Sequence, residues 1–458
     1  MEPTATTAPA VPITSNKSVH RAWSMYDWAN SAYNLVITST IFPAYYNAIT
    51  TTKDGDKIVS DNVTFFGFTL KNSALFDYSI ATAYLIIALI SPILSSIADY
   101  KGNKKRFMQL FCYIGSIACC GLFFFKRETL EWGIICSAFA ALGYCGSLVF
   151  YNAYLPEIAQ EEERDKVSAQ GFAYGYIGSV LLQIICFVFV LKPDLFGITD
   201  GSLPARISFL LVGLWWMGFA QIPFSKLPKG IPLVKDIKHN VFVNGFHELK
   251  KVWKQLKDMP VLKTYLLAFF FYSMGVQTVM LAATLFGSKE VKQANGQPLG
   301  MQQLIATILL IQLVAIAGAY IMAKLSDKFG NLKVLLFVVF IWMAVCVAAY
   351  FTTTDVQFYI IAAIVGLVMG GIQSLSRSTY SKLMPATHDT ASFFSFYDVT
   401  EKVAIVIGMI SFGYIDQIMD MRRAIIALIV FFVAGAIILY LAILKSGKEK
   451  VNFATSNL

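Results

Sequence analysis

Long apolar runs recur along the chain, separated by short polar connections. A bilayer core takes about 20 apolar residues to cross as a helix. Twelve segments qualify, near 22–49, 72–98, 105–125, 131–156, 167–191, 205–225, 262–286, 301–324, 332–352, 355–384, 391–416 and 422–445. The pattern predicts an all-α, multi-pass membrane protein. Several of these runs are not apolar all round. In SMYDWANSAYNLV (24–36), a helical advance of roughly 100° per residue places Asp27, Asn30, Ser31, Asn34 and Thr38 on one narrow face. Polar faces recur in the fourth span (Tyr144, Ser147, Tyr151, Tyr154), the fifth (Gln170, Tyr174), the seventh (Ser273, Gln277, Thr284), the tenth and the eleventh. The third, sixth, ninth and twelfth are nearly featureless, which suits lipid-facing supports. The striped spans are expected to line a wet path. A helix cap also accounts for Asp27 alone, but not for Asn30, Asn34 and Thr38.

The pattern is written twice. The second span ends SSIADYKGNKKR and the eighth ends AKLSDKFGNLKV, so Asp99, Gly102, Asn103 and Lys105 match Asp327, Gly330, Asn331 and Lys333 at one constant offset. Tyr151 to Pro156 match Tyr380 to Pro385 at nearly the same offset. Two six-helix halves are therefore expected, 22–225 and 262–446. They are joined by a linker, 226–261, and flanked by a disordered tail, 1–21, and a C-terminal tail, 447–458. Internal repeats of this kind mark alternating-access carriers, whose site lies between the halves. In the repeated loops, Gly102 and Gly330 permit a tight reversal. Asp99 and Asp327 are read as equivalent gating groups, accepting from helix-end N–H groups or a cation in one state only. A plain turn bearing positive charge is the alternative for either loop taken alone.

Charge within a span costs roughly 2.5–3.5 kcal/mol and calls for an interior partner or a wet cavity. Span ten carries Gly366, Gly370, Gln373, Arg377 and Tyr380 on one face, with the glycines leaving room beside the arginine. Span eleven carries Asp398, Glu401 and Lys402. Antiparallel neighbours would bring Arg377 level with Asp398 and Glu401, so a cluster of the three is expected. It serves as a static clamp or in substrate or proton handling. Asp398 and Lys402 at i, i+4 can satisfy one another, which leaves Glu401 as the candidate proton carrier with Arg377 as its conformation-dependent partner. Gly171, Gly175 and Gly178 in span five read as close-packing positions.

Composition narrows the function. Of 458 residues, 57% are hydrophobic and 14% charged, against roughly 25% charged in soluble domains. The net charge of +9 reflects Lys and Arg gathered at both ends and on the even-numbered connections, which places both termini in the cytoplasm. Nucleic acid is not needed to explain it. All seven cysteines lie in apolar spans without a CxxC pair and read as reduced core residues, and all four histidines lie outside the spans. No metal site, cofactor, nucleophile or phosphate loop emerges, so neither an enzyme nor an ATP-driven pump is expected. No cleavable leader is read in 1–20. Asn62-Val63-Thr64 is a sequon read as chance. FHELKKVWKQLKDM (246–259) sets Phe246, Leu249, Val252, Trp253 and Leu256 against lysines, predicting an amphipathic helix on the inner membrane surface.

DWANSAY (27–33), FYNAYLPEIA (150–159) with VSAQGFAYGYIGS (167–179), FFFYSMGVQTV (269–279), GGIQSLSRSTYSKLMP (370–385) and FFSFYDVTEK (393–402) together resemble one family. It is the autophagy-related family of the major facilitator superfamily: vacuolar amino-acid effluxers of fungi and their bacterial relatives. The resemblance runs from about 21 to 446. It implies a secondary carrier, with amino-acid export as the fungal activity. Met274 stands where the family often has an acid, and Glu401 where it often has glycine. The expectation is therefore a twelve-helix monomeric carrier of the bacterial inner membrane, exporting amino acids or similar small polar metabolites. Protons are the expected coupling ion, and the binding or coupling residues are Asp27, Asn30, Asn34, Tyr151, Gln277, Gln373, Arg377, Asp398 and Glu401. A lipid or amphiphile exporter, or a non-transporting receptor or scaffold, are the alternatives.

Overall fold

The computed structural model describes residues 15–54, 57–230 and 250–456. The first rod is broken. Helix α1, Lys17–Ala32, starts where the Asn16 side chain accepts from the Ser18 N–H at 2.8 Å. A π-helical stretch, Tyr33–Thr40, follows, and then α2, Ile41–Thr50. Pro43 has no N–H to give to the preceding turn. Within the π-helical stretch, Ser39 Oγ donates to the Asn34 carbonyl at 2.9 Å and Thr40 Oγ1 to that of Leu35 at 2.7 Å. Both bonds span five residues, so the hydroxyls follow the wider turn.

The rest of the first half comprises α3 (Asn72–Lys101), α4 (Lys104–Gly121), α5 (Leu130–Ala153), the short α6 (Leu155–Ile158), α7 (Arg164–Leu191) and α8 (Leu203–Lys226). Of the linker helix α9, the described part is 250–257. The second half comprises α10 (Pro260–Glu290), α11 (Met301–Phe329), α12 (Asn331–Phe351), α13 (Asp355–Leu383), α14 (Thr390–Ile418), α15 (Met421–Ala427) and α16 (Ile429–Ser456). Among the described residues, ten helical rods are long and apolar enough to span a membrane. The two remaining rods are α1 to α2, interrupted and polar on one side, and α14, which holds Asp398, Glu401 and Lys402. With them, six rods lie in each half.

The fold has two faces. The linker face carries the start of α1, α9 and the 102–103 and 330 turns. The opposite face carries two antiparallel hairpins, β1 (Thr52–Asp54) with β2 (Lys57–Ser60) and β3 (Asn62–Phe65) with β4 (Phe68–Lys71). These hairpins were not legible as periodic segments. Asn62-Val63-Thr64 lies in β3.

Several expected boundaries shift. Residues 17–21 belong to α1 rather than to a tail, and α16 runs on to Ser456. Residues 1–14 lie outside the described residues, as do Phe246 and Leu249 of the amphipathic segment. In α9, Val252 and Leu256 are buried against the protein rather than turned to lipid. Trp253 is half exposed and packs on Phe396 with ring centroids 5.6 Å apart. The seven cysteines are free. Gly366 and Gly370 do not make room for the arginine. A Cβ at Gly366 would strike the Ile311 carbonyl and one at Gly370 that of Ala315, so both glycines let α13 approach α11 closely.

Candidate functional site

A cavity of about 250 Å³ lies between the halves. It is lined by residues of α1, the π-helical stretch, α3, α5, α7, α10, α11, α13 and α14, and none of α4, α8, α12 or α16 lines it. The division into striped and featureless spans therefore follows the cavity, with α3 and α11 added. Those two bring Tyr84 and Gln312, which no stripe had marked. Asp27, Ser31, Asn34 and Thr38 all line the cavity, and Ser39 joins them because the π-helical stretch shifts the register. Asn30 does not line it. It is buried behind the stripe with its Nδ2 unpartnered, and its Oδ1 accepts from Ser31 Oγ at 3.4 Å.

The expected cluster of Arg377 with Asp398 and Glu401 is not what forms. Arg377 turns away from α14 and reaches α1, where its Nη1 donates to Asp27 Oδ2 at 3.2 Å. Both side chains are almost wholly buried, 3% and 7% exposed. Tyr151 Oη donates to the same Asp27 oxygen at 2.7 Å, without lining the cavity itself. Arg377 also donates from Nε to Ser168 Oγ at 3.0 Å, from Nη2 to the Ser168 carbonyl at 2.9 Å and from Nη1 to Asn152 Oδ1 at 3.3 Å. The guanidinium lies 4.2 Å from the Phe172 ring centroid and 4.7 Å from that of Trp23. A charge in a helix interior is tolerable when paired and hydrogen-bonded in this way. Asn152, Ser168 and Phe172 gave no signal of their own in the sequence, being ordinary residues on segments chosen for other reasons.

Asp398 and Glu401 form a second group around Lys402. The Lys402 ammonium lies 3.4 Å from Asp398 Oδ1 and 3.2 Å from Glu401 Oε2. Glu401 faces the cavity and accepts from Gln277 Nε2 at 3.1 Å, whereas Asp398 sits behind it with Oδ2 unpartnered. Gln373 lines the cavity and accepts from Tyr176 Oη at 2.6 Å, another bond between the halves.

The linker face is closed beneath this cavity. Asp99 at the end of α3 caps α14: it accepts from the Ala391 N–H at 3.2 Å, the Ser392 N–H at 2.7 Å and Ser392 Oγ at 2.8 Å. A carboxylate at a helix N-terminus is favoured by the unpaired N–H groups there. Lys104 bonds both Glu157 and, at 2.7 Å, Thr390 Oγ1. The two repeat loops differ. Gly102 is left-handed at φ 60° and Gly330 has φ 84°, so both require glycine. Asp327, however, is exposed and makes none of the contacts of Asp99. Its place is taken from the other side by Asp165 on α7, which accepts from Ser326 Oγ at 2.8 Å, Asn331 Nδ2 at 2.6 Å and Lys382 Nζ at 2.6 Å. The reading of Asp327 as the equivalent of Asp99 is corrected on this geometry. Among the described residues, the hydrogen bonds between halves lie at the cavity floor or below it, on the linker side.

Two helical halves around a cavity with polar lining form a carrier's architecture, and comparison with known proteins decides which. The family model described as "Vacuole effluxer Atg22 like" matches residues 15–452. The chain belongs to that family. The MFS-type transporter YxiO of Bacillus subtilis (strain 168) is 33% identical over 91% of this chain and 93% of its own. Autophagy-related protein 22 of Kluyveromyces lactis is 25% identical, over 82% and 80%. Among solved structures, the transporter FucP in its outward conformation superposes with a TM-score of 0.67 at 13% identity, covering 93% of this chain and 99% of that one. The proton:xylose symporter XylE also gives 0.67, at 11% identity, covering 92% and 94%. The fold is thus that of the major facilitator superfamily, and this Atg22-like protein is a multi-pass membrane transporter rather than an enzyme.

Proposed function

We propose that this Atg22-like carrier exports amino acids or closely similar small polar metabolites, as a monomer in the bacterial inner membrane, by rocking of its two halves. The observation that carries the reading is the cavity between the halves, which is lined by two pairs of opposite charge, Asp27 with Arg377 and Glu401 with Lys402. A zwitterion that exchanges with these pairs finds a carboxylate for its ammonium group and a cation for its carboxylate. A lipid exporter would need a continuous apolar path; here the apolar lining from α10, α11 and α13 faces the amides and charges of Asp27, Asn34, Asn152, Gln277, Glu401 and Lys402. The excess of Lys and Arg on the linker-side connections makes that face cytoplasmic, so the state described is closed to the cytoplasm. Protons are the coupling ion and Glu401 is their carrier, with Lys402 and Gln277 as the partners it exchanges. In the state described Arg377 is held by Asp27 and is not a partner of Glu401.

The test is transport in proteoliposomes of a labelled metabolite panel, with and without a proton gradient. Gradient-dependent movement of amino acids is the expected result. Movement of amphiphiles alone would replace the substrate, and movement of nothing would reject the carrier reading.

A further inference from the structure

Every hydrogen-bond acceptor of Arg377 belongs to the other half of the molecule. Asp27 comes from α1, Asn152 from α5 and Ser168, through both its hydroxyl and its carbonyl, from α7. The rings around the guanidinium are also first-half residues: Trp23, Tyr151 and Phe172. Gly171 makes the space, because a Cβ there would sit 2.9 Å from Arg377 Nη2 and 2.6 Å from Asp27 Oδ2. The first half therefore holds a recess shaped for a planar cation, with one carboxylate, three further oxygens and three aromatic faces. Guanidinium groups are recognised by this combination of forked acceptors and ring stacking. The second half contributes only the cation that fills it.

Arg377 rides on α13, so rocking that opens the linker face withdraws it from the recess. Asp27 would then be a buried carboxylate without its cation, which is costly. The recess borders the cavity, since Asp27, Asn152 and Phe172 line both.

We infer that this recess is a binding site for a guanidinium-bearing solute, which occupies it when the linker face is open and is displaced by Arg377 when that face closes. The inference rests on the carrier reading and names a substrate class for it. Arg377 is tethered, so it returns at a high effective concentration and competes the solute off. The displaced solute is left in a cavity sealed toward the linker face, and the solute and coupling-ion gradients set the net direction of the cycle. A neutral ureido group has the same planar shape but would leave Asp27 uncompensated, so charge rather than shape decides recognition.

Two measurements test this. In the purified full-length protein carrying Arg377→Ala, millimolar methylguanidinium should raise the melting temperature, while the neutral isostere methylurea should not. Adding Asp27→Asn should abolish the response. An equal response to both probes, or one that survives in the double variant, overturns the inference. The second measurement uses the wild-type protein and does not depend on the variant folding. Counterflow of labelled arginine in proteoliposomes should exceed that of citrulline, its ureido isostere, by about tenfold or more, as expected for one uncompensated charge. Equal exchange of the two, alongside transport of other metabolites, overturns the guanidinium site and leaves the carrier standing. No exchange of any solute in the panel rejects the carrier reading itself.

Discussion

Arg377 on α13 donates to Asp27 on α1 at 3.2 Å, and this buried pair joins the two halves at the floor of the cavity. Removing one partner strands the other. Arg377→Ala alone is expected to cost about 3–5 kcal/mol, the usual penalty for breaking a buried pair. The double variant Arg377→Ala/Asp27→Asn should recover part of that loss without recovering transport. A thermal-melting double-mutant cycle, with uptake measured on the same preparations, separates the two effects. Additive losses in melting would show that the residues do not interact.

Glu401 is expected to behave differently from Asp27. Its carboxylate faces the cavity with Lys402 and Gln277 as partners. Glu401→Gln keeps the shape and an acceptor for Gln277 but cannot carry a proton. It should abolish proton-driven accumulation while leaving solute exchange near normal. Accumulation with unchanged pH dependence would return Glu401 to a structural role.

The glycines offer a contrast within one class of substitution. At Gly171 an added methyl meets Asp27 and Arg377, so Gly171→Ala should lower transport about as severely as loss of the pair. At Gly370 it meets the Ala315 carbonyl, so α11 and α13 must separate. Gly370→Ala should cost about 1–3 kcal/mol of stability, typical of overpacking, with substrate preference unchanged. Melting curves and counterflow selectivity on both variants check this.

Much of this was legible in the chain. Segment length and apolarity mark the spans, and the polar stripe from Asp27 to Thr38 marks the cavity wall. What was not legible is which charge meets which. Helical periodicity compares residues on one segment, and adjacency in sequence compares neighbouring segments. Both rules steered Arg377 toward Asp398 and Glu401 on the next helix. Its actual partner lies on α1, in the other half, and such a pairing follows only from how the halves pack. The π-helical stretch escaped for a similar reason, since a fixed 3.6-residue period cannot place Ser39 on the cavity side. Symmetry misled in its own way: matching loops at Asp99 and Asp327 suggested matching contacts.

The gate is therefore expected to respond unequally to equivalent substitutions. Asp99 accepts from two backbone N–H groups at the start of α14, and from a hydroxyl there, so Asp99→Asn trades charge-assisted bonds for an amide that cannot accept them all. Asp165 holds the other seam through Lys382, Asn331 and Ser326. Asp165→Asn should loosen it comparably. Asp327 is exposed, and Asp327→Asn should change little. The readout is a single cysteine at Leu148, which lines the cavity, in a background with the seven native cysteines replaced by serine. An impermeant maleimide applied from the linker face should label it faster in Asp99→Asn and Asp165→Asn than in the parent or in Asp327→Asn. If Asp327→Asn accelerates labelling as much as Asp99→Asn, the two loops act symmetrically during the cycle. Slower labelling in Asp327→Asn would instead show that Asp327 makes a contact only in the state open to the linker face.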